Sequence, residues 1–153
     1  MAALPGFRSF LALSLLLGAA LPALAADGFL KAKPKADALL PVDQAFQFEG
    51  VSREAKALVL RWSIAPGYYL YRHQLKVSAD SPAQLKLPAP ELPQGEVKDD
   101  PEFGEVQTYH GTLTAKIPLA AGAPEPKTLR VRYQGCADIG VCYPPQTKLV
   151  AVR

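Results

Sequence analysis

Short runs of alternating apolar and polar residues, each soon cut off by Pro or Gly, leave this chain few folds to adopt. Leu58, Leu60, Trp62 and Ile64 share one face of a strand, with Val59, Arg61 and Ser63 on the other. Pro66-Gly67 turns the chain into a run from Tyr68 to Val77, in which Tyr69, Tyr71, His73, Leu75 and Val77 share a face. Leu85 and Leu87 suggest a short strand ended by Pro88 and Pro90. Leu113, Ala115, Ile117 and Leu119 alternate with Thr112, Thr114 and Lys116, and Leu129, Val131 and Tyr133 with Arg130, Arg132 and Gln134. Ala45 to Phe48 adds a strand at the start and Thr147 to Val150 one at the end. No stretch reads as an amphipathic helix. Seven or eight short strands at turn-punctuated spacing predict an all-β, antiparallel two-sheet sandwich. Most of the fifteen prolines fall between the runs, where they suit loops and edge strands. Trp62 is expected in the core, and His73 and His110 are expected to be structural or exposed.

The N-terminus adds a targeting signal. Arg8 precedes an apolar run, Phe10 to Leu17, and Ala23-Leu24-Ala25 offers the small residues of a cleavage site. Residues 1–25 are therefore expected to be a secretory signal peptide, too short and too interrupted by Gly18 and Pro22 for a comfortable membrane span. Residues 26–41, rich in Ala, Lys and Pro, read as a flexible leader, and residues 42–153 as one domain. Cleavage after Ala25 removes Arg8 alone among the charged residues, so the formal charge falls from +3 to +2. That balance favours neither nucleic acid nor an anionic membrane surface. Charge is uneven, however. Lys31, Lys33 and Lys35 precede the domain, while Glu91, Glu96, Asp99, Asp100, Glu102 and Glu105 crowd one region read as a loop, opposed only by Lys98.

The chain has two cysteines, Cys136 and Cys142, separated by a short turn that contains Gly140. They bracket the turn between the last two strands, so they project from one end of the sandwich. Two thiols so placed can close a disulfide across a hairpin, and the small loop limits the chain-entropy stabilisation it gives. Three readings stand open. An exported domain often carries such a bond as an inert staple. A metal site is disfavoured by five intervening residues and by the lack of paired spacing for His73 and His110. A redox-active dithiol has no Cys-x-x-Cys and no helix N-terminus to acidify a thiol, and Asp138 within the loop opposes a thiolate.

The run Tyr133-Gln134-Gly135-Cys136-Ala137-Asp138-Ile139-Gly140-Val141-Cys142-Tyr143-Pro144-Pro145-Gln146-Thr147-Lys148 resembles the active-site segment of the N-terminal periplasmic domain of the DsbD family of thiol–disulfide transporters. Asp43-Gln44-Ala45-Phe46, Gly67-Tyr68-Tyr69-Leu70-Tyr71-Arg72 and Leu92-Pro93-Gln94-Gly95 resemble the same domain, in order and at compatible spacings. The resemblance covers roughly Leu39 to Val150. It implies an immunoglobulin-like fold and a redox pair, Cys136 and Cys142, with Cys142 forming mixed disulfides with partners. It further implies electrons received from a thioredoxin-like domain of a membrane transporter. They would pass on to periplasmic disulfide isomerases and a thioredoxin-like protein of cytochrome c maturation, with no cofactor and no metal.

The family also implies an acidic cap loop that ends in an aromatic residue and Gly and folds over the cysteines. Here the matching stretch is Asp99-Asp100-Pro101-Glu102-Phe103-Gly104, which departs from the commoner Asp-Glu-Phe-Tyr-Gly. A gapless comparison puts Glu102 at the cap aromatic's position, and the cap role is assigned to Phe103, followed by Gly104. Tyr69 and Tyr71 match positions that line the site, and Asp138 and Tyr143, close to the cysteines in sequence, are expected to line it with them. The sequence stops at Arg153, short of the membrane channel and C-terminal thioredoxin-like domain of DsbD. The expectation is therefore a monomeric, exported relay in the periplasm, either served by a separate transporter or derived from a split or truncated gene. The competing reading is an immunoglobulin-like adaptor with a purely structural disulfide.

Overall fold

Pro41 stands at the N-cap of a single helical turn, α1 (Val42–Ala45), where its carbonyl accepts the N–H groups of Gln44 and Ala45. The structure, a computed structural model, describes residues 39–152. The expected signal peptide and the leader up to residue 38 lie outside the described residues. After α1 the chain is all strand and turn: β1 (Phe46–Glu54), β2 (Ala57–Ile64), β3 (Tyr68–Tyr71), β4 (Lys76–Ser81), β5 (Glu96–Asp100), β6 (Gly104–Tyr109), β7 (Thr112–Pro118), β8 (Thr128–Tyr133), β9 (Gly135–Ala137), β10 (Val141–Cys142) and β11 (Gln146–Ala151). All pairings are antiparallel, in the ladders β1-β2-β7, β11-β8-β4 and β10-β9-β3-β6-β5. The result is the expected immunoglobulin-like sandwich.

The core follows the alternation. Leu58, Leu60 and Trp62 of β2 meet Ile117, Ala115 and Leu113 of β7 in register, and all six are fully buried. Leu129, Val131 and Tyr133 of β8 are equally buried and close the core from the β11-β8-β4 side. Each such aliphatic side chain contributes about 1.5–3 kcal/mol by leaving water. Trp62, in the core as expected, packs edge-on against Tyr133 with ring centroids 5.9 Å apart.

Several sequence expectations need correction. Tyr68 to Val77 is two strands in different ladders, not one. Beyond Tyr71 the N–H of Arg72 bonds the Gln107 carbonyl and that of Leu75 bonds the Arg72 carbonyl, so the chain turns before β4. All four residues of β3 are buried, and a strand covered on both faces has no alternation to mark its end. Leu85 and Leu87 form no strand. Pro82, Pro88 and Pro90 remove the donors a ladder needs, and only Glu91 bridges to Lys116. The acidic region read as a loop is the β5–β6 hairpin, whose period-two pattern is hidden because β5 carries only Val97 among apolar residues and exposes it. The first strand begins at Phe46, since Ala45 ends α1, and it runs on to Glu54. The cysteines do lie between the last two long strands, β8 and β11, but on a separate hairpin, β9–β10, that joins the five-stranded ladder.

Candidate functional site

Cys136 on β9 and Cys142 on β10 are direct cross-strand partners, joined by a disulfide with Cα atoms 3.9 Å apart. The hairpin can close because Gly140 takes φ +88° at its turn, where its N–H bonds the Ala137 carbonyl. The two sulfurs face different surroundings. Cys136 is completely buried, whereas Cys142 sits on the two-residue edge strand and is exposed. An incoming thiolate needs a line of approach to the sulfur it attacks, so the geometry opens Cys142 and closes Cys136.

Behind Cys136 lie Tyr69, Tyr71 and Val106, a small cluster apart from the main core. Tyr69 is the register partner of Cys136, and its ring stands edge-on to Tyr71 at 5.3 Å. Lys98 of β5 places its ammonium 3.9 Å from the Tyr69 ring centroid. The Tyr71 hydroxyl is the hub of the site. It lies 3.3 Å from Cys136 Sγ and 3.9 Å from Cys142 Sγ, and it donates to Asp100 Oδ2 at 2.6 Å. Asp100 Oδ1 in turn accepts the backbone N–H groups of Glu102 and Phe103, at 2.9 and 3.1 Å, which shapes the β5–β6 turn. Asp100 is thus a buried carboxylate with three donors.

The charges follow from these bonds. The hydrogen bond from Tyr71, helped by the two backbone N–H groups and by Lys98, holds the Asp100 carboxyl below its ordinary range against the opposing effect of burial. Burial first, and then the bonds to Asp100 and Tyr69, push the Tyr71 hydroxyl well above a phenol's usual value. The proton therefore stays on Tyr71 and the charge on Asp100. A carboxyl depressed in the folded chain contributes stability above the unfolded aspartate pKa, about 3.9, and loses it as pH falls through the folded value. Asp100→Asn is accordingly expected to melt below the parent at pH 7, with the gap narrowing towards pH 3. Thermal unfolding of the two proteins at both pH values checks this.

Phe103 reaches the site at one remove. Its ring lies 5.5 Å from Tyr71 and 4.9 Å from His73, it is 39% exposed, and Cys142 remains exposed with the ring in that position. Gly104, at φ +71°, lets the turn close after it. Asp138 is at the exposed tip of the cysteine hairpin, tied through its N–H to the Gly67 carbonyl at 2.8 Å. Tyr143, the residue after Cys142, packs into the core against Phe46 and Tyr68. The structure thus brings Cys136, Cys142, Tyr69 and Tyr71 together, sets Phe103 and Gly104 on the adjoining turn, and turns Tyr143 inward. Sequence reasoning missed Asp100, one of six acidic residues in its region. The clue was an Asp followed by Pro101 and, three residues on, by Phe103-Gly104, a turn pattern in which Asp accepts the backbone N–H groups after it. His73 is exposed as expected, and packs its ring on Phe103 and Tyr71.

Comparison with known proteins bears on this geometry. The family model for the N-terminal part of the thiol:disulfide interchange protein DsbD matches residues 36–153. The chain is 41% identical over 125 residues to the thiol:disulfide interchange protein DsbD of Cronobacter sakazakii, covering 82% of this chain and 21% of that protein. It is 42% identical over 149 residues to DsbD 1 of Pseudomonas aeruginosa, covering 92% of this chain and 24% of that protein. The chain therefore spans between about a fifth and a quarter of these relatives. Among solved structures it is similar to the reduced DsbD N-terminal domain of Neisseria meningitidis, with TM-score 0.65 and 37% identity, over 74% of this chain and 88% of that one. It is similar also to a chain from the complex between the DsbD and PilB N-terminal domains of the same organism, with TM-score 0.64 and 35% identity, over 74% of this chain and 86% of that one.

Proposed function

Because the chain belongs to the family of DsbD N-terminal domains, we propose that it is a protein-disulfide reductase that relays electrons between thioredoxin-like proteins through Cys136 and Cys142. The observation that carries this reading is the asymmetry of the pair, one sulfur exposed and the other buried against Tyr71. A donor thiolate attacks Cys142 Sγ, the Cys136–Cys142 bond breaks, and Cys136 leaves as a thiolate. The Tyr71 hydroxyl lies 3.3 Å away and its one proton is donated to Asp100, so it stabilises that developing charge only by turning this proton from the carboxylate to the sulfur. The donor's second thiol then attacks its own sulfur in the mixed disulfide and frees Cys142. The donor becomes a disulfide, and this chain gains two electrons and, with protons from water, two thiols. Towards a client the steps reverse: the Cys142 thiolate attacks the client disulfide, and Cys136 displaces the client from the mixed species.

The donor in this reading is a thioredoxin-like domain of a membrane transporter. The clients are periplasmic disulfide isomerases and a thioredoxin-like protein of cytochrome c maturation. The similarity to a domain found in complex with the PilB N-terminal domain supports partners of this general kind. Residues 1–25 would direct export to the periplasm, and no helix among the described residues is long and apolar enough to cross a membrane. Tyr69 and Tyr71 form the floor of the site, with Asp138 and Tyr143 flanking Cys142. Phe103 with Gly104 acts as a cap on the Tyr71 side, leaving Cys142 open to a docking protein. The test is to mix the oxidised chain with a reduced thioredoxin-like domain and follow both by thiol alkylation. Stoichiometric transfer of one thiol pair is expected. Binding without transfer, unchanged when both cysteines become Ser, would instead make the chain an adaptor.

A further inference from the structure

We infer that Tyr143 is a positioning residue that fastens Cys142 to the strap at Leu40–Val42, and that this fastening sets how readily the two thiols close into a disulfide; the inference rests on the redox reading above. Strand β10 is two residues long, lies at the edge of its ladder and is exposed at both positions. While the disulfide is intact, the S–S bond itself fixes Cys142 opposite Cys136. In the dithiol or a mixed disulfide that covalent tie is gone, and β10 is left with its ladder to β9 and whatever holds Tyr143.

Tyr143 is held on every side. Its N–H bonds the Gly135 carbonyl at 3.0 Å, and its carbonyl accepts from Gln134 Nε2 at 3.2 Å. Its ring stands edge-on to Phe46, 5.4 Å away at 89°, and 6.2 Å from Tyr68. Its hydroxyl donates to the Leu40 carbonyl at 2.6 Å, while the Leu40 N–H donates to the Tyr68 hydroxyl at 2.8 Å. One residue of the strap, Leu40, is thus held at both its N–H and its carbonyl by two tyrosines, one of them the immediate neighbour of the reactive cysteine. A further ion pair, Lys148 Nζ to Asp43 Oδ1 at 2.6 Å, ties α1 to β11 just beyond.

The consequence is one of effective concentration. The anchor's bonds exist whether the disulfide is open or closed, so their strength cancels between the two states. The freedom they deny Cys142 does not cancel, because only the open states could use it. With the anchor intact, the Cys136 thiolate finds Cys142 Sγ close by, attacks it, forms the Cys136–Cys142 bond and expels the client sulfur as a thiolate. With the anchor cut, closure costs more, the disulfide is weaker, and the client stays attached longer.

The test is the midpoint potential of the full chain, titrated with dithiothreitol, for the parent, Tyr143→Phe, Tyr68→Phe and the double variant. Tyr143→Phe keeps the ring and loses only the donated bond. It is expected to weaken disulfide closure about threefold, a rise of about 14 mV on the two-electron scale of 29.6 mV per tenfold. The lifetime of a mixed disulfide is expected to lengthen by a similar factor. Since both tyrosines hold the same residue, Leu40, the double variant should exceed the stronger single one only slightly. Tyr109→Phe is the control: it loses bonds to Arg72 and the Pro93 carbonyl, away from β10, and should lower thermal stability without moving the potential. A Tyr143→Phe shift below about 1.3-fold, or an equal shift in the control, overturns the inference. Failure of a thioredoxin-like donor to reduce the parent would sink the relay instead, and the dithiothreitol comparison would still decide the anchor.

Discussion

Replacing Cys136 with Ser is expected to turn the proposed relay into a trap. Cys142 is the exposed sulfur, so the variant keeps its nucleophile and still attacks a partner's disulfide. The resolving thiol is gone, and a serine hydroxyl does not displace a sulfur at neutral pH. A covalent complex with the thioredoxin-like partner is therefore expected to accumulate, visible on a non-reducing gel and lost on adding dithiothreitol. Cys142→Ser should behave in the opposite way. Its one remaining thiol, Cys136, is fully buried against Tyr69, Tyr71 and Val106, where a folded partner cannot reach it. Transfer is expected to fall by at least about a thousandfold, as when an enzyme loses its nucleophile, with no complex formed. Equal trapping by both variants would contradict the assignment of Cys142 as the attacking sulfur.

Gly135→Ala is expected to be the most damaging conservative change near the site. A Cβ there would lie 2.3 Å from the Tyr69 carbonyl oxygen and 2.6 and 2.7 Å from ring carbons of Phe46. The Tyr69 oxygen belongs to β3, which pairs with β9 at this point, so it cannot retreat without breaking the ladder. Phe46 is itself fully buried and wedged against Tyr68 and Tyr143. With neither neighbour free to move, the cost is expected to reach about 3 kcal/mol or more. For a domain of this size that lowers the melting temperature by roughly 10 °C or more. The reporter is thermal unfolding of the oxidised protein. A drop of only a degree or two would mean that the β3–β9 contact is looser than the geometry states.

Much of this was legible in the sequence, and the exceptions share a cause. β7 and β8 each bury one face and expose much of the other, and β2 keeps polar Arg61 and Ser63 opposite its core face although Val59 is buried, so alternation at Leu58-Leu60-Trp62 or Leu129-Val131-Tyr133 marks them directly. β3 is buried on both faces and β5 is nearly all charge, so neither alternates: in the sequence the first reads on into β4 and the second reads as a loop. At the site, two cysteines in a long resembling run stood out at once. What no one-dimensional pattern could supply was which sulfur faces solvent, or that Tyr71, 29 residues before Asp100, donates to its carboxylate. Nor could spacing alone distinguish Asp100 from the acidic residues around it. Its role comes from a hydroxyl and two backbone N–H groups converging on one side chain.

The claim that Cys136 and Cys142 exchange rather than merely staple is tested most directly by the midpoint potential of the purified chain, titrated against a thiol buffer. Structural disulfides of exported proteins hold below about −300 mV, and exchangeable ones stand above it. A value well above about −300 mV is expected here, within reach of thioredoxin-like partners. A value below that mark would make the bond a fixed brace for β9 and β10 and the domain an adaptor.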